Sequence, residues 1–388
     1  MLDAADALFG SIVSAVVCVV VALLTWWWWT TPTPVRAGRI TEIIVYPLKS
    51  ARGISVASAS LDARGLMFDR LWMVVDERGA FLSQRRAPRL AVVSVELPSS
   101  LDDPLRLSAP GAAPLVVPVI CGKRGEVRSR VRVWEDWVDA VDQGDEAAAW
   151  LSDVLGIASA RLVRMPDDAV RQCSQKYAPR GSQTAYSDGY PVLLASEASL
   201  SELNQRLTAR GKPSLPMNRF RPNLVVGDGA ARDGTPRSVL APFAEDEWSE
   251  VAVASAAAGR EVRFGVVKPC ARCKMPTIDQ ATGVADRGAG GDAGCGGSTA
   301  AGGADDGDDE GGGPAAEAEP TATLLSFRSG RALGFAKRGW AKDVFFGQNL
   351  VLCSGTAYAS VAVGDELHAT PRRPVGWLHK GVRGVHYA

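Results

Sequence analysis

Histidine is scarce in this 388-residue chain, and its three copies, His368, His379 and His386, all lie within the last 21 residues. A Ser/His/Asp or Cys/His nucleophilic site needs a histidine beside its nucleophile, so the sequence argues against that class of catalysis. A Walker phosphate-binding loop is also missing, and no internal repeat is evident. The Gly-rich stretch 288–303 is acidic and does not follow a strand with a phosphate-binding pattern, which argues against a nucleotide site.

An excess of one charge is missing overall, because 43 basic residues face 43 acidic ones. The segment 286–320, however, holds nine acidic residues and one basic residue, so the rest of the chain carries a net charge of +8. A basic body favours anionic ligands or an acidic protein partner. Without runs of Lys and Arg or interleaved aromatic residues, we expect no nucleic-acid binding. Seven cysteines, an odd number without framework spacing, fit a reducing compartment.

Charged residues are absent between Ala7 and Val35, and four consecutive tryptophans lie near the end of this apolar run. The run has the length of a membrane-spanning helix, and tryptophans are typical of the membrane interface. A cleaved signal peptide is the alternative, but it needs a positive leading region, whereas Asp3 and Asp6 precede the run. We therefore predict an N-terminal transmembrane helix and linker over residues 1–37. Two arginines directly after the span place the body on the cytosolic side.

The body of the chain is predicted as an α+β fold rich in β structure, and its length favours two domains. Short apolar runs between Pro and Gly residues indicate strands, for example ITEIIVYPLKS, FRPNLVVGD and EVRFGVVKPC. Two segments indicate helices: DEAAAWLSDVLG, with Asp145 as N-cap and Gly156 as terminator, and SEASLSELNQRL, with Ser199 and Glu202 as a capping box. The segment 286–320 has almost no large apolar side chains and is predicted to be a disordered insertion.

The stretch KPCARCKMPTIDQATG carries two cysteines, Cys270 and Cys273, that allow several interpretations. A zinc site would need two more ligands, for which only distant cysteines or the late histidines are available. A thioredoxin-like redox pair would open a helix, whereas these residues lie in a strand-to-loop connection. Idle thiols are the third interpretation. Three cations, Lys268, Arg272 and Lys274, favour the thiolate form, which binds soft metals or attacks electrophiles.

Several separated motifs together resemble the MOSC-domain family, and within it the membrane-anchored mitochondrial amidoxime-reducing components. The motifs are YPLKSARG, FDRLWMVVDERGAFLSQRRAPRL, SEASLSELNQRL, FRPNLVV, CARCKMPTIDQATG and FGQNLVL, spread from about Ile40 to His368. The resemblance implies a MOSC N-terminal β-barrel-like domain over 38–165 and a MOSC β-barrel domain over 166–370, which contains the insertion, followed by a tail over 371–388.

The resemblance also implies a molybdenum-molybdopterin cofactor whose metal is held by one protein thiolate, at the position of Cys273. Cys270 would then be a bystander. The cofactor-binding residues implied by the match are Lys49, Ser50, Arg70, Asp188, Gly189, Tyr190, Arg221, Asn223, Arg272 and Cys273. Guanidinium and ammonium groups suit the anionic pterin phosphate. Relatives can carry a Thr-Ser pair where this chain has Gly189 and Tyr190, so this contact would depend on backbone N–H groups, which both residues still supply.

The activity implied by the resemblance is reduction of N-hydroxylated compounds such as amidoximes and hydroxamic acids, with nitrite as a further substrate to test. No plant-type ferredoxin spacing occurs in the sequence. The implied electron donors are therefore separate proteins, NADH-cytochrome b5 reductase and cytochrome b5, and the implied location is the mitochondrial outer membrane. Two alternatives remain open: a carrier or sulfur-transfer protein for the cofactor, although the pyridoxal-phosphate domain of a complete sulfurase is missing, and a membrane-tethered interaction module without cofactor.

Overall fold

The computed structural model describes residues 14–21, 32–121, 127–228, 240–255, 259–286, 318–335, 338–353, 355 and 358–372. Residues 14–21 are helical. Across the described ranges, no helix is both long enough and apolar enough to cross a membrane. Most of the predicted anchor, of the predicted insertion and of the predicted tail lies outside the described residues, so these three remain predictions.

Seven strands form a closed barrel, in which each strand pairs with two neighbours. In the order of pairing around the ring they are β13, β12, β16, β15, β14, β18 and β1, and the ring closes where β1 pairs with β13. Their bounds are Val35–Val45 (β1), Val192–Ser196 (β12), Leu224–Gly227 (β13), Trp248–Ser255 (β14), Arg260–Arg272 (β15), Val344–Leu352 (β16) and Glu366–Pro371 (β18). A closed ring leaves no unpaired edge between its strands.

Strand β1 belongs to this barrel although it comes long before the other six strands in the chain. It runs antiparallel to both β13 and β18, and the short strand β2 (Ile54–Val56) adds to it as an eighth strand. Apolar side chains of β1 such as Ile40, Ile43 and Val45 are buried in the main core. The segment that follows β1 is thereby anchored to the barrel wall.

The remaining strands form three small sheets. One holds four strands in the order β5, β11, β10 and β9, and the other two hold three strands each, in the orders β17, β3, β4 and β6, β7, β8. Their bounds are Ser58–Asp62 (β3), Gly65–Leu66 (β4), Trp72–Val75 (β5), Ser94–Glu96 (β6), Leu105–Ser108 (β7), Leu115–Val117 (β8), Ser129–Val133 (β9), Asp136–Asp142 (β10), Arg161–Arg164 (β11) and Ser360–Ala362 (β17). The predicted β-rich α+β fold is confirmed.

Besides the helical residues 14–21, the described part of the chain contains three α-helices: α1 (Asp145–Leu155), α2 (Glu197–Ala209) and α3 (Thr321–Arg328). Gly156 ends α1 in the left-handed conformation as predicted, whereas its N-cap is Gly144 and not Asp145. Short 3-10 turns occur at Pro88–Val92, Met217–Arg219, Ala244–Glu247, Met275–Thr277 and Arg338–Trp340.

The capping box predicted for α2 was wrong. The helix begins three residues earlier, and its N-cap is Ser196, whose side chain accepts a hydrogen bond from the backbone N–H of Ala198. Ser199 is fully buried instead, and its hydroxyl donates to Glu245 at 2.7 Å. The Ser199 hydroxyl is therefore bonded to a residue distant in the chain, although the local pattern predicted that it caps the helix.

Candidate functional site

One cleft collects every site residue that the sequence predicted. It holds about 820 Å³ of empty space, its open mouth included. The predicted residues that line it are Lys49, Ser50, Arg70, Asp188, Gly189, Tyr190, Arg221, Asn223, Arg272 and Cys273. Cys270 lines it too, together with Phe81, Ser83, Arg85, Trp134, Ser187, Leu193, Phe220, Ala271, Met275 and Asn349.

The two cysteines enter the cleft from the end of the long strand β15. The register of β15 against β16 shifts twice near this end, the second time between Pro269 and Ala271, and such irregularities redirect side chains. Cys270 is in the strand, and Cys273 lies between its end and the 3-10 turn Met275–Thr277. This arrangement differs from the helix start that a thioredoxin-like pair requires.

Each cysteine has its own hydrogen-bond donor. Arg272 donates from Nη1 to Sγ of Cys270 at 2.9 Å and from Nη2 to the carbonyl oxygen of Phe220 at 2.8 Å. The backbone N–H of Met275 donates to Sγ of Cys273 at 3.5 Å. Both thiols are free and partly exposed. The described residues contain no cluster of three or more His, Cys, Asp and Glu side chains that could share a metal.

Lys49 forms an ion pair with Asp188 inside the cleft. Its Nζ donates to Oδ1 of Asp188 at 2.6 Å and lies 5.0 Å from the centroid of the Phe81 ring. Burial lowers the pKa of Lys49, and the charge of Asp188 opposes that shift. Partial burial acts to raise the pKa of Asp188, but the Lys49 ammonium outweighs it and holds that pKa below its usual range. Asp188 is therefore ionised at neutral pH.

Two guanidinium groups pack on the ring of Tyr46. The Cζ atoms of Arg70 and Arg221 lie 4.2 and 4.3 Å from the ring centroid, distances typical of cation–π contacts. Burial raises the pKa of Tyr46 to about 12, so the ring stays neutral. Burial lowers the pKa of Arg221 to about 10, so this guanidinium keeps its charge at neutral pH. The ring thus contacts two cationic groups, and both of them line the cleft.

Asn223 positions Arg70 through a buried network. Its Oδ1 accepts from Nη1 of Arg70 at 3.0 Å and from the backbone N–H of Leu193 at 3.1 Å. Its Nδ2 donates to the carbonyl of Ile44 and to Asp69, whose other oxygen accepts from Arg70 at 2.6 Å. An amide has two donor hydrogens and two acceptor lone pairs, so the hydrogen-bonding capacity of Asn223 is used within the protein. Its contribution to the site is to orient Arg70.

A pair of glutamine amides connects Ser50 with Arg221. Gln84 and Gln280 donate to each other at 2.9 and 2.8 Å, and both are buried. Gln84 also donates to the carbonyl oxygen of Ser50 at 2.8 Å, and Oε1 of Gln280 accepts from Arg221 at 3.3 Å. No local pattern indicates this link, because the two glutamines are 196 positions apart.

Unfavourable backbone conformations concentrate at the cleft. Among the described residues, eight residues other than glycine have positive φ, and four of these line the cleft: Ser50 (66°), Arg70 (49°), Trp134 (56°) and Arg221 (54°). Each such conformation costs about 1–3 kcal/mol and persists where the surrounding structure imposes it. Strained backbone of this kind is enriched at binding and catalytic sites.

Two further arginines at the site were missed by sequence reasoning. Arg171 is buried and binds the loop that carries Asp188, because its guanidinium donates to the carbonyl oxygens of Ala185, Ser187 and Asp188. Arg85 lies within the quoted motif FDRLWMVVDERGAFLSQRRAPRL, but nothing in the residue pattern separated it from its neighbour Arg86. With Arg85, the cleft lining has five cationic side chains and, among the described residues, a single carboxylate, Asp188.

Comparisons with known proteins identify the family of this chain. The MOSC N-terminal beta barrel domain matches residues 37–158, and the MOSC domain matches residues 181–300. The chain belongs to the MOSC family. It is 34% identical over 261 residues to the mitochondrial amidoxime-reducing component 1 of Mus musculus, which covers 65% of this chain and 69% of the relative. The mitochondrial amidoxime reducing component 2 of Bos taurus is 34% identical over 65% of this chain and 70% of its own length.

A relative with another name also matches this MOSC protein. The molybdenum cofactor sulfurase of Bos taurus is 30% identical over 266 residues, which cover 64% of this chain and 28% of the sulfurase. The resemblance predicted from the motifs is therefore confirmed at the level of the family. The individual residue roles implied by that resemblance stay predictions.

The side chains in the cleft fit an anionic cofactor with a thiolate-bound metal. Among the described residues, two buried guanidinium atoms of the cleft lining, Nη2 of Arg221 and Nε of Arg272, have no hydrogen-bond partner. Buried donors of this kind are costly unless a ligand or water satisfies them. A phosphate or a pterin carbonyl would accept these hydrogens, and a soft metal favours the sulfur of Cys273.

Proposed function

We propose that this MOSC protein is a molybdenum-cofactor-dependent reductase of N-hydroxylated compounds, such as amidoximes and hydroxamic acids. The observation that carries the proposal is the placement of Cys273 in one cleft with five cationic side chains, in a chain 34% identical to amidoxime-reducing components. A molybdenum-pterin cofactor supplies two-electron reduction chemistry at the metal when it is bound. The protein supplies a thiolate, positive charge and orientation.

The proposal assigns separate roles to the groups of the cleft. Cys273 holds the metal, and Arg221 and Arg272 bind the anionic part of the cofactor through their unpaired donors. Lys49 adds a point charge, and the glutamine pair holds the backbone of Ser50 in place. Tyr46 and Asn223 keep Arg70 and Arg221 in fixed positions, so little side-chain entropy is lost on binding.

The electrons come from NADH through cytochrome b5 reductase and cytochrome b5 in this proposal, and the protein acts at the mitochondrial outer membrane. The net charge of +8 outside the segment 286–320 supports an acidic donor protein. The names of the relatives support a mitochondrial location.

The test is turnover by protein purified from a host that makes the cofactor. Molybdenum content is measured first, and benzamidoxime reduction is then followed with NADH, the reductase and cytochrome b5. We expect about one molybdenum per chain and turnover only with the complete donor chain. Full molybdenum occupancy without turnover of benzamidoxime or of a hydroxamic acid would overturn the reductase proposal.

A cofactor carrier or sulfur-transfer protein is the second candidate. The match to a molybdenum cofactor sulfurase favours it, because that relative is 30% identical to this chain over 266 residues. A carrier would release its cofactor to an acceptor apoprotein and would not reduce N-hydroxylated compounds. Reconstitution of a cofactor-free molybdenum enzyme, measured beside benzamidoxime turnover, separates the two candidates.

A further inference from the structure

The turn between β9 and β10 carries a tryptophan where the backbone favours glycine. Val133 pairs with Asp136, so Trp134 and Glu135 form a two-residue hairpin turn. Trp134 has a φ of 56°, and two-residue turns with positive φ at the first central position normally place glycine there. A bulky residue in this conformation is an outlier that calls for a reason.

The indole of Trp134 is held in the cleft by three contacts. Its Nε1 donates to Oδ1 of Asp188 at 3.3 Å, and the Phe81 ring lies 5.1 Å away between centroids at an angle of 58°. Cζ of Arg85 lies 4.8 Å from the indole centroid. The ring is therefore fixed before any ligand arrives, although it is only half-buried and lines the cleft.

A fixed, partly exposed indole is suited to bind a flat conjugated group. Aromatic rings prefer offset or edge-on contacts with each other, and these contacts add to the gain from burial. The cleft wall is also partly aromatic, because the partly exposed side chains of Phe81, Trp134 and Tyr190 line it. The positive groups suit the anionic part of the cofactor, whereas an aromatic surface suits a planar uncharged group.

We propose that Trp134, backed by Arg85, is the binding platform for the planar part of the substrate and makes the site prefer aryl over alkyl N-hydroxylated compounds. The inference rests on the proposed function and specifies its substrate class. It also explains why the turn keeps tryptophan, since glycine would suit the backbone but would remove the ring.

The test compares benzamidoxime with acetamidoxime in the molybdenum-loaded protein and in two variants. Trp134→Gly suits the turn and removes the platform, whereas Trp134→Phe keeps a ring and removes the donor to Asp188. We expect the ratio of kcat/KM for benzamidoxime to kcat/KM for acetamidoxime to fall about threefold to tenfold in Trp134→Gly. Trp134→Phe should retain most of the preference. Trp137→Ala is the matched control, because Trp137 is 53% exposed on the same hairpin and does not line the cleft.

Binding of the products provides a readout that does not need turnover. Titration calorimetry should show benzamidine binding the wild-type protein more tightly than acetamidine, and Trp134→Gly should remove the difference. If Trp134→Gly changed the affinity for both compounds equally, or changed neither affinity, the proposed role of Trp134 as the platform would be overturned. Failure of the wild type to reduce either amidoxime would overturn the proposed function instead. The calorimetric comparison would still test whether Trp134 binds the planar group.

Discussion

Arg272 donates a hydrogen bond from its guanidinium to the thiol of Cys270, and not to that of Cys273, which follows it in the chain. The two cysteines of the C-x-x-C motif therefore have different surroundings within one cleft. Cys270 is held by a side chain of its own strand, whereas Cys273 follows the strand end and accepts only a long backbone hydrogen bond. This asymmetry supports a single metal ligand rather than a symmetric pair.

Cys273→Ser should abolish molybdenum binding and reduction of benzamidoxime, because a hydroxyl group does not replace a thiolate as a soft ligand. Cys270→Ser should retain most of both, since Arg272 keeps its second bond to the Phe220 carbonyl. Molybdenum content and turnover of both purified variants provide the measurement. Equal losses in the two variants would favour a paired-cysteine site.

Arg221→Lys should weaken cofactor retention by about tenfold, because lysine offers one charged nitrogen in place of a two-nitrogen fork. Molybdenum remaining after a fixed dialysis is the measurement, with thermal unfolding to confirm that the variant is folded. Arg263→Lys is the matched control, since Arg263 is half-exposed on the barrel and pairs with Glu250 and Glu261. Unchanged retention in Arg221→Lys would remove Arg221 from the cofactor site.

Glu245 should make the protein less stable as pH rises. Burial, with help from Asp246, raises the pKa of Glu245 to about 7 in the folded state. The native state therefore holds a proton that the unfolded state loses above about pH 4.5. The contribution of Glu245 to the free energy of unfolding is thus largest below that pH and decreases up to about pH 7. The loss should reach about 3 kcal/mol.

Glu245→Gln should remove most of this pH dependence, because a neutral amide can still accept the hydrogen bond from Ser199. Urea unfolding of both proteins at pH 5, 6, 7 and 8 tests the prediction. Parallel stability curves for the two proteins would show that Glu245 does not titrate in this range.

Turnover with cytochrome b5 should depend on ionic strength. A basic protein body and an acidic donor attract each other over roughly one screening length, which falls from about 14 to about 6 Å between about 0.05 and 0.3 M salt. We expect the apparent KM for cytochrome b5 to rise over this range while kcat changes little. Turnover with a small-molecule electron donor is the control. A KM that is independent of salt would exclude electrostatic steering by the basic body.

Local sequence patterns were sufficient for several features of this protein. Neighbouring residues predicted the strand that leads into Cys270 and Cys273 and the end of α1 at Gly156. They also indicated which residue types line the cleft. The motifs around Lys49, Arg70 and Arg221 also indicated the family, because several separated segments of the chain each resemble a family motif.

Tertiary structure decided the rest, because the relevant partners are distant in the chain. Barrel closure joins β1 to β13 and β18, and no local pattern encodes a pairing across so many residues. Ser199 and Glu245 are 46 positions apart, and their buried contact replaced the predicted capping box. Trp134 gives the clearest case: propensity favours glycine in its turn, and only the contacts with Phe81, Arg85 and Asp188 hold the indole in the cleft.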